Sequence, residues 1–282
     1  MHDKVKIAAV QMDPKLKESR INLDRIQLEA RNAASNGAAL IVFPECALTG
    51  YVFTSLEEAI PFMETVPGPA ADELFACCLE LNIHIIAGLL EIDGDKCFNT
   101  VVLVGPQGLV GKYRKVHLPF LGIDRFINPG DKPFQVYQTP IGNIGIQICY
   151  DCNFPESSRV MTLLGADILV LPTNWPEGRE KLAKHVVVTR AFENKVNLVA
   201  ADRVGVERGI KFIGLSKIVN AWGDTIVEAS TDHEEIIYAE VSLVEARQKR
   251  IVYKAGQFEV DLIGDRRPEF YGEITKTKRN ER

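Results

Sequence analysis

Apolar and polar residues follow two different periods along the chain, and the changes of period predict where strands and helices begin and end. Runs that are apolar at every position, such as 39–43, predict strands buried on both faces. The predicted strands are 5–11, 39–43, 84–90, 100–104, 112–117, 142–149, 167–171, 196–201, 212–220, 225–229 and 236–241. Apolar residues three or four positions apart predict helices at 70–81, 155–164, 179–194 and 243–250, and one that carries Leu23, Ile26, Ala30, Ala33 and Ala34 on one side and ends near Gly37.

Strands and helices alternate through both halves, and no Ser/Gly-rich linker or block of charge divides them. This order predicts a single domain over residues 1–282, with the helices packed outside the sheets. We expect a core of about residues 1–255 and a C-terminal tail, 256–282, that takes part in assembly. The basic stretch 276–282 at its end is expected to be solvated rather than a binding arm.

The composition is that of an ordinary globular protein, with 46% hydrophobic and 25% charged residues. A chain of 282 residues can bury a core that needs neither disulfides nor metals for stability. The net charge of -5 argues against a general binder of nucleic acids or membrane surfaces, because both need a basic face. We find no pattern typical of a signal peptide or a membrane span, and we expect a cytoplasmic protein.

The chain has six cysteines, at positions 46, 77, 78, 97, 149 and 152. A reducing compartment makes disulfides unnecessary. Cys149 and Cys152 form a CxxC pair, but no second pair or His-x3-His pattern completes a zinc site. A thiol–disulfide function is a weak alternative, because such a motif belongs near a first βαβ unit and this pair lies mid-chain. We expect Cys152 and Cys46 to be packed, inert thiols.

Three residues whose side chains suit catalysis lie at or near the ends of predicted strands, where layered α/β folds tend to place their chemistry. Glu45 comes directly after the strand 39–43, Cys149 ends the strand 142–149, and Lys115 lies beyond a hairpin turn. Taken singly, each has an ordinary interpretation: a solvated carboxylate or helix cap, a small core residue, and a surface cation.

The segments around these residues resemble those of the nitrilase superfamily of carbon–nitrogen hydrolases, both in their residues and in their order along the chain. The glutamate, lysine and cysteine segments of that family are similar to 42–51 (VFPECALTGY), 113–118 (YRKVHL) and 145–151 (GIQICYD) with 154–156 (FPE). Further similar strings are 8–12 (AAVQM), 165–169 (GADIL), 190–194 (RAFEN) and 202–205 (DRVG), and 265–269 (DRRPE) resembles bacterial and archaeal nitrilase-like members. The resemblance covers nearly the whole chain.

The resemblance implies a four-layer αββα sandwich and a catalytic triad of Cys149, Glu45 and Lys115. A free cysteine, with a pKa of about 8.5, is mostly a thiol at neutral pH, so attack on an amide or nitrile carbon needs a base. Glu45 is predicted to be that base, and Lys115 and the backbone N–H of Tyr150 are predicted to stabilise the oxyanion. The predicted substrate-binding residues are Tyr51, Phe120, Asp124, Tyr150, Phe154, Asn174 and Trp175. No metal or cofactor is expected.

One position departs from the family. Many members have a second glutamate before the Phe of a segment ending in Pro-Gly-Asp, and here Asp124, one methylene shorter, takes that place in 122–131 (GIDRFINPGD). Asp124 is a candidate for orienting the substrate or Lys115. Arg190 and Glu193, three apart on a helix, are expected to have a buried structural role near the site, and His117 is expected to be a packed structural residue.

The sequence is compatible with several functions. The first choice is hydrolysis of a small, mostly aliphatic amide through a thioester, with release of ammonia. A nitrilase and an N-carbamoyl amine or amino-acid hydrolase are close alternatives, because the same triad serves all three. A non-catalytic small-molecule binding protein and an ammonia-supplying glutamine amidohydrolase module are less favoured. Related proteins pair through helices, so a homodimer or larger homo-oligomer is expected, whereas neither nucleic acid nor membrane is an expected partner.

Overall fold

The computed structural model describes residues 3–276, so all but the first residue of the basic stretch 276–282 lies outside the described part. The strands are Lys4–Gln11 (β1), Leu40–Val42 (β2), His84–Asp93 (β3), Lys96–Gly105 (β4), Gly108–Arg114 (β5), Val136–Thr139 (β6), Gly142–Ile146 (β7), Ile168–Thr173 (β8), Asn197–Asp202 (β9), Val206–Glu207 (β10), Ile210–Lys211 (β11), Lys217–Val219 (β12), Thr225–Glu228 (β13), Glu235–Ser242 (β14), Arg250–Lys254 (β15) and Phe258–Asp261 (β16). The α-helices are Ser19–Ser35 (α1), Leu56–Ala59 (α2), Pro69–Leu81 (α3), Pro155–Leu163 (α4), Val187–Asn194 (α5) and Leu243–Arg247 (α6).

Two six-stranded sheets form the centre of the molecule. One has the order β14-β1-β2-β3-β4-β5 and the other the order β13-β12-β9-β8-β7-β6. In each sheet the inner strands are parallel, β1 to β2 to β3 and β7 to β8 to β9, and the outer strands are antiparallel. The hairpins β10–β11 and β15–β16 stand apart from both sheets.

Strand β1 is apolar on both faces because each face packs into a different core cluster. Successive side chains of a strand point to opposite sides of the sheet. Ile7 and Ala9 pack into the core cluster between the two sheets, whereas Ala8 and Val10 pack into the cluster under α1 and α3. A strand buried on both sides reads as a continuous apolar run, which is the pattern that predicted it.

The helices cover the outer faces of the two sheets. The buried positions of α1 and α3 pack against the first sheet, and α4 and α5 pack against the second. The result is the four-layer αββα sandwich that the resemblance implied, and the prediction is confirmed. Among residues 3–276, no helix is both long enough and apolar enough to span a bilayer.

Two predicted strands end earlier than expected, and both lead into candidate catalytic residues. The strand predicted at 142–149 stops at Ile146, and Cys149 instead begins a 3-10 helix, Cys149–Asn153. The strand predicted at 112–117 is β5, which ends at Arg114 and leaves Lys115 in the following loop. In both places a side chain, that of Asp151, takes up backbone N–H groups that a longer strand would have used.

Other boundaries differ because the local backbone breaks the pattern. Only Lys217–Val219 of the predicted strand 212–220 pairs in the sheet, since Gly214 and Leu215 have φ values of 60° and 62°. The helix predicted at 179–194 is a π turn, Leu182–Val186, followed by α5, and the helix predicted at 243–250 stops at Arg247. Among the α-helices and strands, the unpredicted elements are α2, β6, β10, β11, β15 and β16.

Candidate active site

Glu45 lies in the loop that follows β2, pressed against the neighbouring strand β3. A side chain at Gly88 would place its Cβ 2.3 Å from the backbone N of Cys46 and 2.8 Å from the Cα of Glu45. Only glycine therefore allows the loop to approach so closely. The Glu45 side chain is fully buried, and Asn174 donates a hydrogen bond of 2.9 Å to its backbone carbonyl.

Lys115 bridges two carboxylates in the protein interior. Its Nζ lies 2.6 Å from Glu45 Oε1 and 2.6 Å from Asp124 Oδ2, and all three side chains are inaccessible to solvent. The structure thus brings Asp124, the residue that departs from the family pattern, into direct contact with the predicted lysine. Asp124 reaches it from a 3-10 turn, Gly122–Arg125.

Two further side chains complete this cluster. Asn99 on β4 donates from Nδ2 to Glu45 Oε1 at 2.7 Å and to Asp124 Oδ1 at 3.0 Å. The Tyr51 hydroxyl lies 2.8 Å from Asp124 Oδ2, and Lys115 Nζ stands 5.8 Å from the centre of the Tyr51 ring. Tyr51, predicted to bind the substrate, thus contributes its hydroxyl to this cluster. Sequence reasoning missed Asn99, which directly precedes the predicted strand 100–104; a polar amide next to an apolar run was the available signal.

Cys149 occupies a strained position at the start of its 3-10 helix. Its φ is +43°, in the left-handed region that a residue with a side chain adopts at a cost of about 1–3 kcal/mol. The buried Asp151 carboxylate holds this turn, because it accepts from the backbone N–H of Ile148 at 3.0 Å and of His117 at 3.0 Å, and from the Tyr113 hydroxyl at 2.8 Å. Such strain persists only where the surrounding structure enforces it, and it is typical of functional positions.

The same turn is fixed from the helix side. Arg190 on α5 donates from Nε to the Cys152 carbonyl at 3.0 Å, and its Nη1 pairs with Glu193 at 2.9 Å. Arg190 is buried, in agreement with its expected structural role near the site. His117 is half-buried; its ring stacks on Phe154 at 3.8 Å, and its Nδ1 lies 2.7 Å from Asp151.

The electrostatics of the site follow from its burial. Burial raises the pKa of the Cys149 thiol well above its ordinary value, and the Glu45 charge raises it further while Lys115 opposes both. Burial also raises the pKa of Glu45, although Lys115 acts in the opposite direction. Burial by itself lowers the pKa of Lys115, but the carboxylates of Asp124 and Glu45 outweigh it and raise that pKa well above the ordinary value. The structure therefore favours a neutral thiol, a basic carboxylate and a charged lysine.

Several buried polar atoms around this cluster have no hydrogen-bond partner among the described residues. They are Glu45 Oε2, Thr173 Oγ1, Asn174 Oδ1, Trp175 Nε1 and Asp202 Oδ2. Buried polar atoms are nearly always paired in folded proteins, so five unpaired atoms around one cluster call for a functional explanation.

The remaining predicted substrate-binding residues lie at different depths. Asn174 and Trp175 are buried, with 1% of each exposed, directly after β8. Tyr150 and Phe154 are partly exposed and meet edge to face, with ring centres 5.3 Å apart. Phe120 is 90% exposed, so the structure does not bring it into the buried cluster.

All six cysteines are buried free thiols, including Cys46 and Cys152. Burial raises the pKa of Cys152 to about 12, which makes it a poor nucleophile. Within residues 3–276, no group of three or more His, Cys, Asp or Glu side chains is arranged to hold a metal ion.

Comparison with known proteins identifies the family of this chain. The family model for carbon-nitrogen hydrolases matches residues 6–251. A nitrilase of Pyrococcus abyssi is 40% identical over 268 residues, which are 95% of this chain and 99% of that protein. An omega-amidase of Homo sapiens is 29% identical over 88% of this chain and 93% of its own length. The solved structure of a carbon-nitrogen hydrolase from Helicobacter pylori superposes with a TM-score of 0.83 at 25% identity, covering 98% of this chain and 99% of that one. The chain therefore belongs to the carbon-nitrogen hydrolase family of the nitrilase superfamily, and it is an enzyme that hydrolyses carbon–nitrogen bonds.

Proposed function

We propose that the enzyme hydrolyses small, mostly aliphatic amides, with Cys149 as nucleophile, Glu45 as base and Lys115 as the cation that stabilises the oxyanion. The observation that carries this proposal is the free oxygen of Glu45. Oε1 is occupied by Lys115 and Asn99, whereas Oε2 is buried and unpartnered among the described residues. Oε2 is thus available to accept a proton from the Cys149 thiol.

The first half of the reaction forms a thioester. As the Cys149 sulfur bonds to the amide carbon, its proton passes to Glu45, since the raised pKa of the thiol disfavours a thiolate in the resting enzyme. Negative charge develops on the carbonyl oxygen, where Lys115 and the backbone N–H of Tyr150 stabilise it. The C–N bond then breaks, and Glu45 returns its proton to the departing nitrogen, which leaves as ammonia.

The second half reverses the roles. Glu45 takes a proton from water, the water oxygen bonds to the thioester carbon, and the C–S bond breaks while the sulfur regains a proton. A base works best when its pKa lies near the working pH, and burial raises the pKa of Glu45 in that direction. Asp124 serves by keeping Lys115 charged and fixed in place.

The unpartnered polar atoms on 173–175 support an amide substrate. An amide carries both donors and an acceptor, and Asn174 Oδ1 and Trp175 Nε1 offer one acceptor and one donor. The Trp175 and Tyr51 rings are the apolar surfaces proposed to contact a small acyl group.

A nitrile is the second candidate substrate, and the observation in its favour is the 40% identity to the Pyrococcus abyssi nitrilase. The human omega-amidase relative favours the amide. An N-carbamoyl compound is compatible with the same three residues. A binding protein without catalysis is disfavoured by the complete cluster around Lys115.

The proposal is tested by ammonia release from a panel of small amides, nitriles and N-carbamoyl compounds. We expect release from amides, abolished in Cys149→Ala and retained in Cys152→Ala, which removes a buried thiol from the same turn. Release of ammonia and free acid from nitriles alone would replace the amidase assignment with nitrilase. Absence of release from every compound, together with no labelling of Cys149 by iodoacetamide, would favour a binding protein.

We further propose that the chain works as a cytoplasmic homodimer or larger homo-oligomer that pairs through α4 and α5. These helices carry exposed apolar side chains, namely Val160, Leu163 and Phe192. The C-terminal segment, proposed to take part in assembly, lines an open pocket of about 610 Å³ together with residues of α4 and α5. Light scattering on the purified protein, with Leu163→Asp and Phe192→Asp expected to yield monomers, tests this assembly.

A further inference from the structure

Asn99 is the one amide side chain in direct contact with both carboxylates that hold Lys115, as far as residues 3–276 show. It lies in the middle of β4, opposite Leu90 of β3, and only 1% of it is exposed. Its Nδ2 group has two protons, and both are used, one on Glu45 and one on Asp124. Its Oδ1 faces the Cys46 sulfur at 3.6 Å.

The hydrogen bonds of Asn99 and Lys115 form a closed ring with the two carboxylates. Lys115 joins Glu45 Oε1 to Asp124 Oδ2, and Asn99 joins the same Glu45 oxygen to Asp124 Oδ1. A carboxylate held by one contact can rotate about its last torsion, which is soft for glutamate. Two donors that converge on Oε1 fix both the plane of the carboxylate and the identity of its free oxygen.

We infer that Asn99 is a positioning residue for the proposed reaction: by holding Glu45 Oε1 and Asp124 together, it leaves Glu45 Oε2 as the sole oxygen free to exchange protons with Cys149. Asn99 touches neither the substrate nor the reacting atoms in this role. It acts through Glu45. The inference rests on the proposed function only in naming the reaction.

Asn99 also stabilises the basic form of Glu45. An amide N–H donates to a carboxylate more strongly than to a carboxylic acid, so the hydrogen bond lowers the pKa of Glu45 against the effect of burial. The other groups that face Glu45 are Lys115, which also lowers its pKa, and Asp124, which raises it. Cys149, Cys46, Tyr51 and Asp202 respond to the same carboxylate charge and complete its ionisable surroundings.

The test replaces Asn99 with two residues of similar size, in Asn99→Leu and Asn99→Asp. Both remove the donor to Glu45, so we expect kcat to fall about 10- to 100-fold, as for a hydrogen bond to a charged group, with a smaller change in KM. The acid limb of kcat/KM moves to higher pH by about one unit, which corresponds to a tenfold rise in the proton affinity of Glu45. Asn99→Asp moves it further, because the new carboxyl group adds charge.

Asn197→Leu is the matched control. Asn197 is a buried strand amide whose Nδ2 likewise donates two hydrogen bonds, here to the backbone carbonyls of Asp167 and Ser242, at the end of β9 remote from Asp202. We expect this variant to lose stability with an unchanged acid limb. If Asn99→Leu or Asn99→Asp folds and keeps both the wild-type kcat and the wild-type limb, the inference is wrong. A loss of kcat without movement of the limb would reduce Asn99 to a structural residue.

A second readout separates this inference from the proposed function. The rate at which iodoacetamide alkylates Cys149, followed by mass spectrometry against pH, depends on Glu45 as base and requires no amide substrate. We expect its midpoint to move to higher pH in both Asn99 variants. If the wild-type enzyme released no ammonia from any amide but the midpoint still moved, the proposed substrate would be wrong and the role of Asn99 would stand.

Discussion

The Lys115→Met substitution removes the only cation in contact with Glu45 and Asp124 among the described residues, at nearly constant side-chain length. Its two carboxylate partners stay buried and acquire no other positive neighbour. The variant therefore tests whether one lysine supports both the stability of the cluster and the proposed stabilisation of the oxyanion.

The magnitudes follow from the burial of the three side chains, which are inaccessible to solvent. Removing one partner of a buried ion pair costs about 3–5 kcal/mol of unfolding free energy. Removing one oxyanion donor lowers kcat by about 10²–10³-fold. Loss of the cation also raises the pKa of Glu45 further, because Lys115 is one of the groups that lowers it.

The loss of stability in Lys115→Met is expected to depend on pH. In wild type, the pKa of Lys115 is raised above its ordinary value of 10.5, so its stabilising contribution is fully present throughout pH 5–8. In the variant, Glu45 with a raised pKa is stabilised by a bound proton, and that stability is lost as pH rises through the folded-state pKa. The stability deficit of Lys115→Met is therefore smaller at pH 5 than at pH 8.

Urea unfolding followed by circular dichroism at pH 5 and pH 8, together with ammonia release on the amide that wild type hydrolyses best, measures these effects. Lys217→Met is the control, because Lys217 is equally buried but pairs with Glu228 on β13, away from the cluster. We expect that control to keep its kcat. A Lys115→Met enzyme with wild-type kcat, or with the same stability deficit at both pH values, would refute the reasoning.

Three further predictions concern the turn, the pH profile and the core. Asp151→Asn weakens the acceptor of two backbone N–H groups, so we expect about a tenfold loss of kcat and a lower melting temperature, measured by ammonia release and calorimetry. Because burial raises the pKa of Glu45 above its ordinary 4.5, the acid limb of wild-type kcat/KM lies above pH 4.5, and a limb at or below that value would contradict a buried base. Leu74→Ala on α3, whose side chain is 2% exposed, lowers the unfolding free energy by about 2–5 kcal/mol with kcat unchanged, as urea titration and activity together will show.

Local sequence patterns predicted much of the fold. The apolar runs at β1, β3 and β8 predicted strands because burial on both faces requires apolar side chains at every position, and the structure has strands there. Strand β6 escaped prediction because all four of its residues are at least partly exposed, which leaves no burial pattern to read. The hairpin β15–β16 escaped for the same reason, since most of its side chains are exposed or half-buried.

The residues of the candidate active site likewise differ in whether the sequence could identify them. Glu45, Lys115 and Cys149 could be proposed from the sequence because each lies in a local string with a recognisable resemblance. Their roles stay predictions until activity is measured. Asn99 could not be found in that way, because the Glu45 carboxylate that it contacts lies 54 residues away in sequence. Asp151 lies inside the nucleophile string, but its contact with His117, 34 residues away, could not be read from that string.

The apolar pattern of the sequence by itself predicted the buried strands and the helices outside them, and the resemblance of short strings implied the four-layer sandwich and the three residues proposed for catalysis. Tertiary structure alone decided that Asp124 and Asn99 join one hydrogen-bonded ring with Glu45 and Lys115. It also decided that Cys149 adopts a left-handed backbone and that Phe120 stays at the surface. The reason is physical. Hydrophobic periodicity sets which face of an element is buried, whereas hydrogen-bond partners, pKa shifts and backbone strain depend on the register in which distant elements meet.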